Sequence, residues 1–249
     1  MRLLLDVGNS RLKWAFIDGA ALTHRGEALH AGSLFAPLVE EAWSDFPSPD
    51  TVLVSNVAGE DFASQLADYT RTTWGVTPEL ITPAAQAFGV TNAYTEPAQL
   101  GADRWAALVA AHHEPGGPAC IVDCGSAVTI DALNADGGHL GGLILPGLSM
   151  MRQCLAERAR GVAVRAGGEG NVSLLARDTQ DAVIGGTLYA LVAALDRITA
   201  DVVAELGGGA HRILTGGDAA QLLPLLQGRW QHEPDLVLKG LAVMSGGGG

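Results

Sequence analysis

The chain has 249 residues, 48% of them apolar, and a formal net charge of −12. That length accommodates one large domain or two of about 120 residues, and the apolar share excludes a disordered or fibrous chain. The acidic balance argues against nucleic acid, whose phosphates it would repel, but not against a nucleotide neutralised locally by a few cations.

Met1-Arg2 runs straight into an apolar strand pattern, without the basic segment and hydrophobic core of a signal peptide. No stretch reads as the roughly 18 apolar residues that span a bilayer. Cys120, Cys124 and Cys154 lack C-x-x-C spacing and read as reduced core or near-core residues. The expectation is a cytoplasmic protein with neither a membrane nor a nucleic-acid partner.

In chain order, Leu3-Leu4-Leu5-Asp6-Val7-Gly8-Asn9-Ser10 followed by Leu12, Trp14 and Phe16 is a strand that turns at Gly8 and returns as a second strand. Leu34 to Trp43 has helical spacing, and 51–55 reads as a strand ending at Asn56. A helix over Phe62 to Trp74 and a strand over 78–82 follow. The segment 82–99, with Pro83, Gly89, Asn92 and Pro97, reads as a loop. Gly101 opens an Ala-rich helix reaching His113, and 114–118 is the clearest linker. These features divide the chain into lobes at 1–114 and 115–249.

The second lobe repeats the opening device. Ile121-Val122-Asp123-Cys124-Gly125-Ser126 continues into Val128 and Ile130. Backbone N–H groups at such turns form anion-binding concavities, and an adjacent Asp can hold a cation. Two copies over a hundred residues apart suggest similar half-molecules facing one nucleotide phosphate cleft. Pro146 suits a helix start, 161–173 reads as a Gly-containing loop, and Asp178-Thr179 caps the longest helix, which ends at Gly207-Gly208-Gly209. A strand over 212–215 enters the Gly216-Gly217 turn, where a glycine would let an adenine or ribose approach the backbone. The last residues, 245–249, read as a frayed end. The seven histidines show no metal spacing and read as surface residues.

Neither G-x-x-x-x-G-K-[ST] nor G-x-G-x-x-G occurs, so phosphate binding falls to the two hairpin turns. Asp103 in a first helical turn is explained by the helix dipole alone. Arg104 beside it is not, since a cation there opposes the dipole. An Asp that orients an acceptor hydroxyl and an Arg that holds an anion explain both.

The ordered set D-V-G-N-S-R-L-K-W, Y-x-x-P-x-x-L-G-x-D-R-W, V-D-C-G-S-A-V-T-I-D, G-G-L-I-L-P-G, D-T-Q-D-A, T-G-G-D and P-D-L-V-L-K-G-L resembles type III pantothenate kinases over nearly the full length. The resemblance implies an α/β fold of two ribonuclease-H-like (actin-like ATPase) lobes with mixed β-sheets flanked by helices and an ATP cleft between them. It implies phosphorylation of pantothenate to 4'-phosphopantothenate, the first step of coenzyme A biosynthesis. By it, Asp6, Val7, Gly8, Asn9, Ser10, Arg11, Leu12 and Lys13 form the first ATP phosphate loop, and Ser126, where the family more often has Thr, lies on the second. Asp103 is the catalytic proton acceptor. Tyr94, Gly101, Ala102, Asp103, Arg104 and Thr179 contact pantothenate. Asp123 ligates a monovalent cation, potassium or ammonium, and Asp6 holds the magnesium that accompanies ATP, directly or through water. The resemblance also implies a homodimer. The apolar positions Val183, Ile184, Leu188, Leu191 and Val192 make a stripe on the long helix that is open to two uses, a symmetric contact or intramolecular core. The alternative function is a catalytically silent nucleotide-binding accessory or regulatory protein of the same fold. A polyphosphate or nucleotide hydrolase of that superfamily leaves Tyr94 and Arg104 without a purpose.

Overall fold

Leu3, Leu4 and Leu5 are all fully buried, because the strand carrying them, β1 (Arg2–Val7), is covered on both faces of its sheet. The structure is a computed structural model and describes residues 1–18, 21–30, 35–44, 46–159 and 172–246. β1 pairs antiparallel with β2 (Arg11–Asp18), which pairs antiparallel with β3 (Ala21–Leu29). After α1 (Phe35–Trp43), β4 (Thr51–Asn56) pairs parallel with β1. After α2 (Glu60–Trp74), β5 (Glu79–Leu80) pairs parallel with β4. The result is a five-stranded mixed sheet in the order β3-β2-β1-β4-β5. The strand expected over 78–82 is reduced to the two residues of β5, and the segment read as a loop holds a short hairpin, β6 (Gln86–Ala87) and β7 (Val90–Thr91). A 3-10 turn at Pro97–Gln99 leads into α3 (Ala102–His113).

A second sheet repeats the order. Its strands are β8 (Ala119–Cys124), β9 (Ala127–Leu133) and β10 (His139–Pro146), followed by α4 (Leu148–Arg158), α5 (Thr179–Glu205), β11 (His211–Thr215), α6 (Ala219–Leu222) and β12 (Gln231–His232). They assemble as β10-β9-β8-β11-β12, the same strand positions as in the first sheet. α7 (Leu236–Ser245) closes the chain. Pro146 does not open α4 as expected. It is the last residue of β10, where a missing N–H costs no ladder bond, and Gly147 caps the helix.

Contacts divide the chain into two compact units, one of Met1–Gly116, Asp136–His139 and Asp235–Gly249, the other of Gly117–Ala135 and Leu140–Pro234. The contact-based units part at Gly116/Gly117, two residues beyond the expected 114/115, and unit 1 also takes Asp136–His139 and Asp235–Gly249 from the stretch assigned to the second lobe. The reason is packing. In unit 1 the two faces of the sheet carry separate cores. Leu3, Leu5, Val7, Trp14, Val52 and Val54 pack with Trp43 of α1 and Leu66 of α2. Leu4, Ala15, Ile17 and Leu53 pack with Ala106 of α3 and with Val237, Leu238 and Leu241 of α7. α7 belongs to unit 1 because its apolar residues help complete that second core.

In unit 2, Cys120, Val122, Val128, Ile130 and Leu214 pack with Leu188, Leu191 and Leu195 of α5. The α5 stripe is thereby accounted for as intramolecular core: Leu188 and Leu191 are each 2% exposed. α5 also corrects the expectation that nothing here has the length and apolarity of a membrane span. Its 27 residues pass on both counts, and half of the qualifying window is buried within the protein, as for a core helix. Leu34, most of 161–173 and the end from 247 lie outside the described residues.

Candidate active site

In unit 1 the hairpin register puts Asp6 opposite Lys13 and Val7 opposite Leu12, with the turn closed by the Gly8 N–H donating to the Arg11 carbonyl oxygen at 3.0 Å. Alternation along each strand sends Val7 and Leu12 into the α1/α2 core. It sends Asp6 and Lys13 to the opposite face, the one shared by Leu4 and Ala15 and covered by α3 and α7. In the neighbouring parallel strand Ser55 is in register with Asp6, fully buried, and its hydroxyl has no hydrogen-bond partner among the described residues.

The second cluster of unit 1 is built around the start of α3. Asn92 folds the approach: its side-chain oxygen accepts from the Tyr94 N–H at 3.0 Å, and its amide donates to the Pro97 carbonyl oxygen at 3.2 Å. Gly101 caps α3 with extended backbone, and the Trp105 N–H donates to its carbonyl oxygen at 3.0 Å. Asp103 folds back over that glycine. A Cβ at Gly101 would come within 2.4 Å of Asp103 Oδ1, which also accepts from the Arg104 N–H at 2.7 Å. Arg104 is only 6% exposed. Its Nη1 donates to the Tyr94 hydroxyl at 2.8 Å, and its guanidinium carbon lies 5.6 Å from the centre of the Tyr94 ring.

His139 stacks with Tyr94 at 18° and 6.1 Å between ring centres. His139 is 4% exposed, so the reading of all histidines as surface residues fails here. It fails in part at half-buried His112, whose ring lies against Gly89 and Gly137 with Nδ1 buried and without a hydrogen-bond partner among the described residues. Burial, with His113 beside it, holds the His112 pKa below the usual histidine range. Positive φ at Gly89 and Gly137 and the lack of a Cβ on either are what let the ring in. No local pattern marks His139. It reaches Tyr94 because Asp136–His139 returns to unit 1 from a segment of unit 2 strands.

In unit 2 the matching turn has the Gly125 N–H donating to the Ala127 carbonyl oxygen at 3.1 Å and the Gly147 N–H donating to the Ser126 carbonyl oxygen at 3.1 Å. Asp123 sits beside this turn, in register with Thr215 of β11. Gly216 (φ 94°) follows, and a Cβ there would come within 2.4 Å of Asp123 Oδ1 and 2.5 Å of the Cys124 backbone. The glycine of the T-G-G-D motif thus admits the Asp123 carboxylate. Asp218 follows and donates its N–H to the Cys124 carbonyl oxygen at 2.9 Å. Cys120 and Cys124 are buried, and burial raises both thiols, Cys120 up to about 12. Cys154, expected near the core, is exposed on α4. Thr179 begins α5, where the Asp178 carboxylate accepts from the Asp181 N–H at 2.9 Å. It lines a hollow of about 650 Å³ with Met151, Leu155, Val183 and Thr187.

The structure therefore gathers Tyr94, Gly101, Ala102, Asp103 and Arg104 in one cluster of unit 1, with Asp6 through Lys13 on the β1–β2 hairpin of the same unit. Asp123, Ser126 and Thr179 belong to unit 2.

Residues 2–201 match the sequence pattern of the type III pantothenate kinase family. This chain belongs to that family. Relatives named Type III pantothenate kinase in Nitrosococcus oceani and Azoarcus sp. are 43% and 40% identical, over 97% and 98% of this chain and 92% and 90% of theirs. Two solved structures share the fold at low identity. One, from Sinorhizobium meliloti, is described as a 2-dehydro-3-deoxygalactonokinase protein, with TM-score 0.59, 16% identity and 98% of each chain covered. The other, the ethanolamine utilization protein EutJ from Carboxydothermus hydrogenoformans, has TM-score 0.54 and 11% identity, with 97% of this chain and 88% of the other covered. They place the type III pantothenate kinase chain among actin-like ATPase and sugar-kinase folds, as its doubled five-strand order does.

Proposed function

We propose that this chain transfers the γ-phosphoryl group of ATP to the primary hydroxyl of pantothenate, giving 4'-phosphopantothenate in the first step of coenzyme A biosynthesis, in the cytoplasm. The observation that carries the reading is the cluster at the start of α3, in a member of this family: a carboxylate laid over Gly101 beside a buried Arg104 bonded to Tyr94.

Phosphoryl transfer through a loose, in-line transition state asks chiefly for positioning and charge neutralisation. Asp103 aligns the acceptor hydroxyl and takes its proton late, as the new P–O bond forms. Arg104 and Tyr94 hold pantothenate, with Arg104 supplying a planar, permanently charged fork for its carboxylate. Thr179 is a further pantothenate contact. Asp6 through Lys13 hold the ATP phosphates, the backbone of the turn donating and Lys13 adding charge, and Ser126 offers a hydroxyl to phosphate on the second turn.

Magnesium holds few direct protein ligands, usually one or two carboxylates beside waters and substrate phosphates. The single carboxylate of Asp6 beside the turn fits that demand. Bound with ATP, magnesium supplies charge neutralisation for the phosphates. Asp123 offers a hard oxygen donor, the type a monovalent cation such as potassium or ammonium prefers, in the space that Gly216 leaves open.

A homodimer is part of the proposal. The α5 stripe is already core, so the contact draws instead on exposed apolar side chains such as Met150, Leu155, Leu174, Leu175 and Tyr189. Light scattering at assay concentration is expected to give twice the chain mass, and a single-chain mass with full activity would remove the dimer.

The decisive assay for the function is ADP release from ATP with and without pantothenate. Release dependent on pantothenate is expected. ATP turnover indifferent to pantothenate would overturn the reading.

A further inference from the structure

A turn that binds phosphate through backbone N–H groups gains affinity when those groups are held in one orientation before the ligand arrives. In the first turn, the Gly8–Asn9 peptide has such a holder. The Gly8 carbonyl oxygen lies 2.7 Å from Nε2 of His30. The backbone N–H of the same residue donates to the Ser10 carbonyl oxygen at 3.1 Å. His30 thus grips both ends of the Gly8–Ser10 turn from a position just past β3. Its ring is held in turn by Phe62 of α2, 4.8 Å away between centres.

A carbonyl oxygen only accepts, so Nε2 carries the proton in this contact.

The consequence follows from peptide geometry. Among the described residues the cis peptide bond is Glu114–Pro115, so Gly8–Asn9 is trans. In a planar trans unit the C=O and N–H point in opposite directions. A carbonyl fixed on His30 therefore fixes the Asn9 N–H, aimed away from the imidazole. Donation into the carbonyl also polarises the peptide and makes that N–H a stronger donor.

We propose that His30 is a positioning residue for the nucleotide, acting through the Gly8 carbonyl on the Asn9 N–H. The inference rests on the reading of the Asp6–Lys13 turn as the ATP phosphate site. His30 lies outside every motif of the chain, and its sequence neighbourhood gives no sign of the contact.

The test uses two variants of the full chain, assayed with ATP and pantothenate varied separately. His30→Phe keeps a ring against Phe62 and removes the donor; His30→Gln keeps an N–H donor. The expected result for His30→Phe is a KM for ATP raised about tenfold, equivalent to about 1.4 kcal/mol, with the KM for pantothenate within about twofold of wild type. His30→Gln should recover most of the loss. A wild-type KM for ATP in His30→Phe, an equal rise in both KM values, or a His30→Gln no better than His30→Phe would each overturn the proposal. Should His30→Phe fail to fold, His30→Asn, whose donor is too short to reach Gly8, takes its place and the same split decides. Wild-type protein without pantothenate-dependent ADP release would instead overturn the activity, leaving the hydrogen bond untouched.

Discussion

Asp103 and Arg104 are neighbours in sequence and opposites in environment. Arg104 is buried to 6% exposure with its guanidinium bonded to the Tyr94 hydroxyl, while Asp103 lies over a glycine at the start of the helix. Replacing Asp103 with Asn keeps size and one acceptor and removes the base. Turnover is expected to fall by about two to four decades, the usual contribution of a positioned base, with thermal stability and ATP binding little changed. Near-normal kcat in the purified variant would refute the role. Gly101→Ala probes the same carboxylate from the other side. Gly101 has φ −61° and ψ 141°, which alanine adopts without strain, but the added Cβ would sit 2.4 Å from Asp103 Oδ1. The carboxylate must swing away. Misplacement of a catalytic group by about an ångström costs on the order of a hundredfold in rate, so kcat should drop while the melting temperature moves only a few degrees. An unchanged kcat would mean that the Asp103 position in the free protein is not the one that matters.

At the level of elements, the pair α3 and α7 is the most tightly fitted. A Cβ on Gly240 would meet the Ala106 carbonyl oxygen at 2.0 Å and its carbonyl carbon at 2.6 Å, both backbone atoms that cannot rotate away. Gly240→Ala should therefore push the helices apart and cost about 1–3 kcal/mol or more, against the usual gain in helix propensity. A denaturant midpoint equal to wild type would sink this. The hairpins, the long helix with its Asp178 cap and the Gly101 helix start were all legible in the sequence, since apolar period and cap chemistry are local signals. Pro146 misled because a proline suits both the end of a strand and the start of a helix. Of the candidate site, the stretches Asp6 to Lys13 and Gly101 to Arg104 could be proposed from the sequence because each is a contiguous motif. His30, Ser55 and His139 could not, because each owes its place to strand register or to a return of the chain between units, and neither leaves a mark on the residues beside it.

For the whole molecule, the telling feature is that the chain leaves unit 1 at Gly116 and comes back to it twice, for Asp136–His139 and again from Asp235. The second return is energetically large. α7 brings Leu236, Val237, Leu238 and Leu241 to 5% exposure or less, the last three against Leu4, Ala15, Ile17, Leu53 and Ala106. Fully burying one such side chain is worth about 1.5–3 kcal/mol, so the four together come to about 6–12 kcal/mol. That matches the whole net stability of an ordinary domain, about 5–15 kcal/mol. A chain ending at Pro234 is thus expected to lose the fold of unit 1, including the Asp103–Arg104 cluster, although no residue of that cluster is removed. Four of the five tryptophans, Trp14, Trp43, Trp74 and Trp105, lie in unit 1 and only Trp230 in unit 2. Near-ultraviolet circular dichroism therefore reads the outcome directly: most of the aromatic signal should vanish, while helical signal from α5 persists in the far ultraviolet. Retention of the full aromatic signal and of activity by the truncated chain would show that β1, β2, β4 and α3 hold their core without α7, and that the burial arithmetic overstates what the terminal helix contributes.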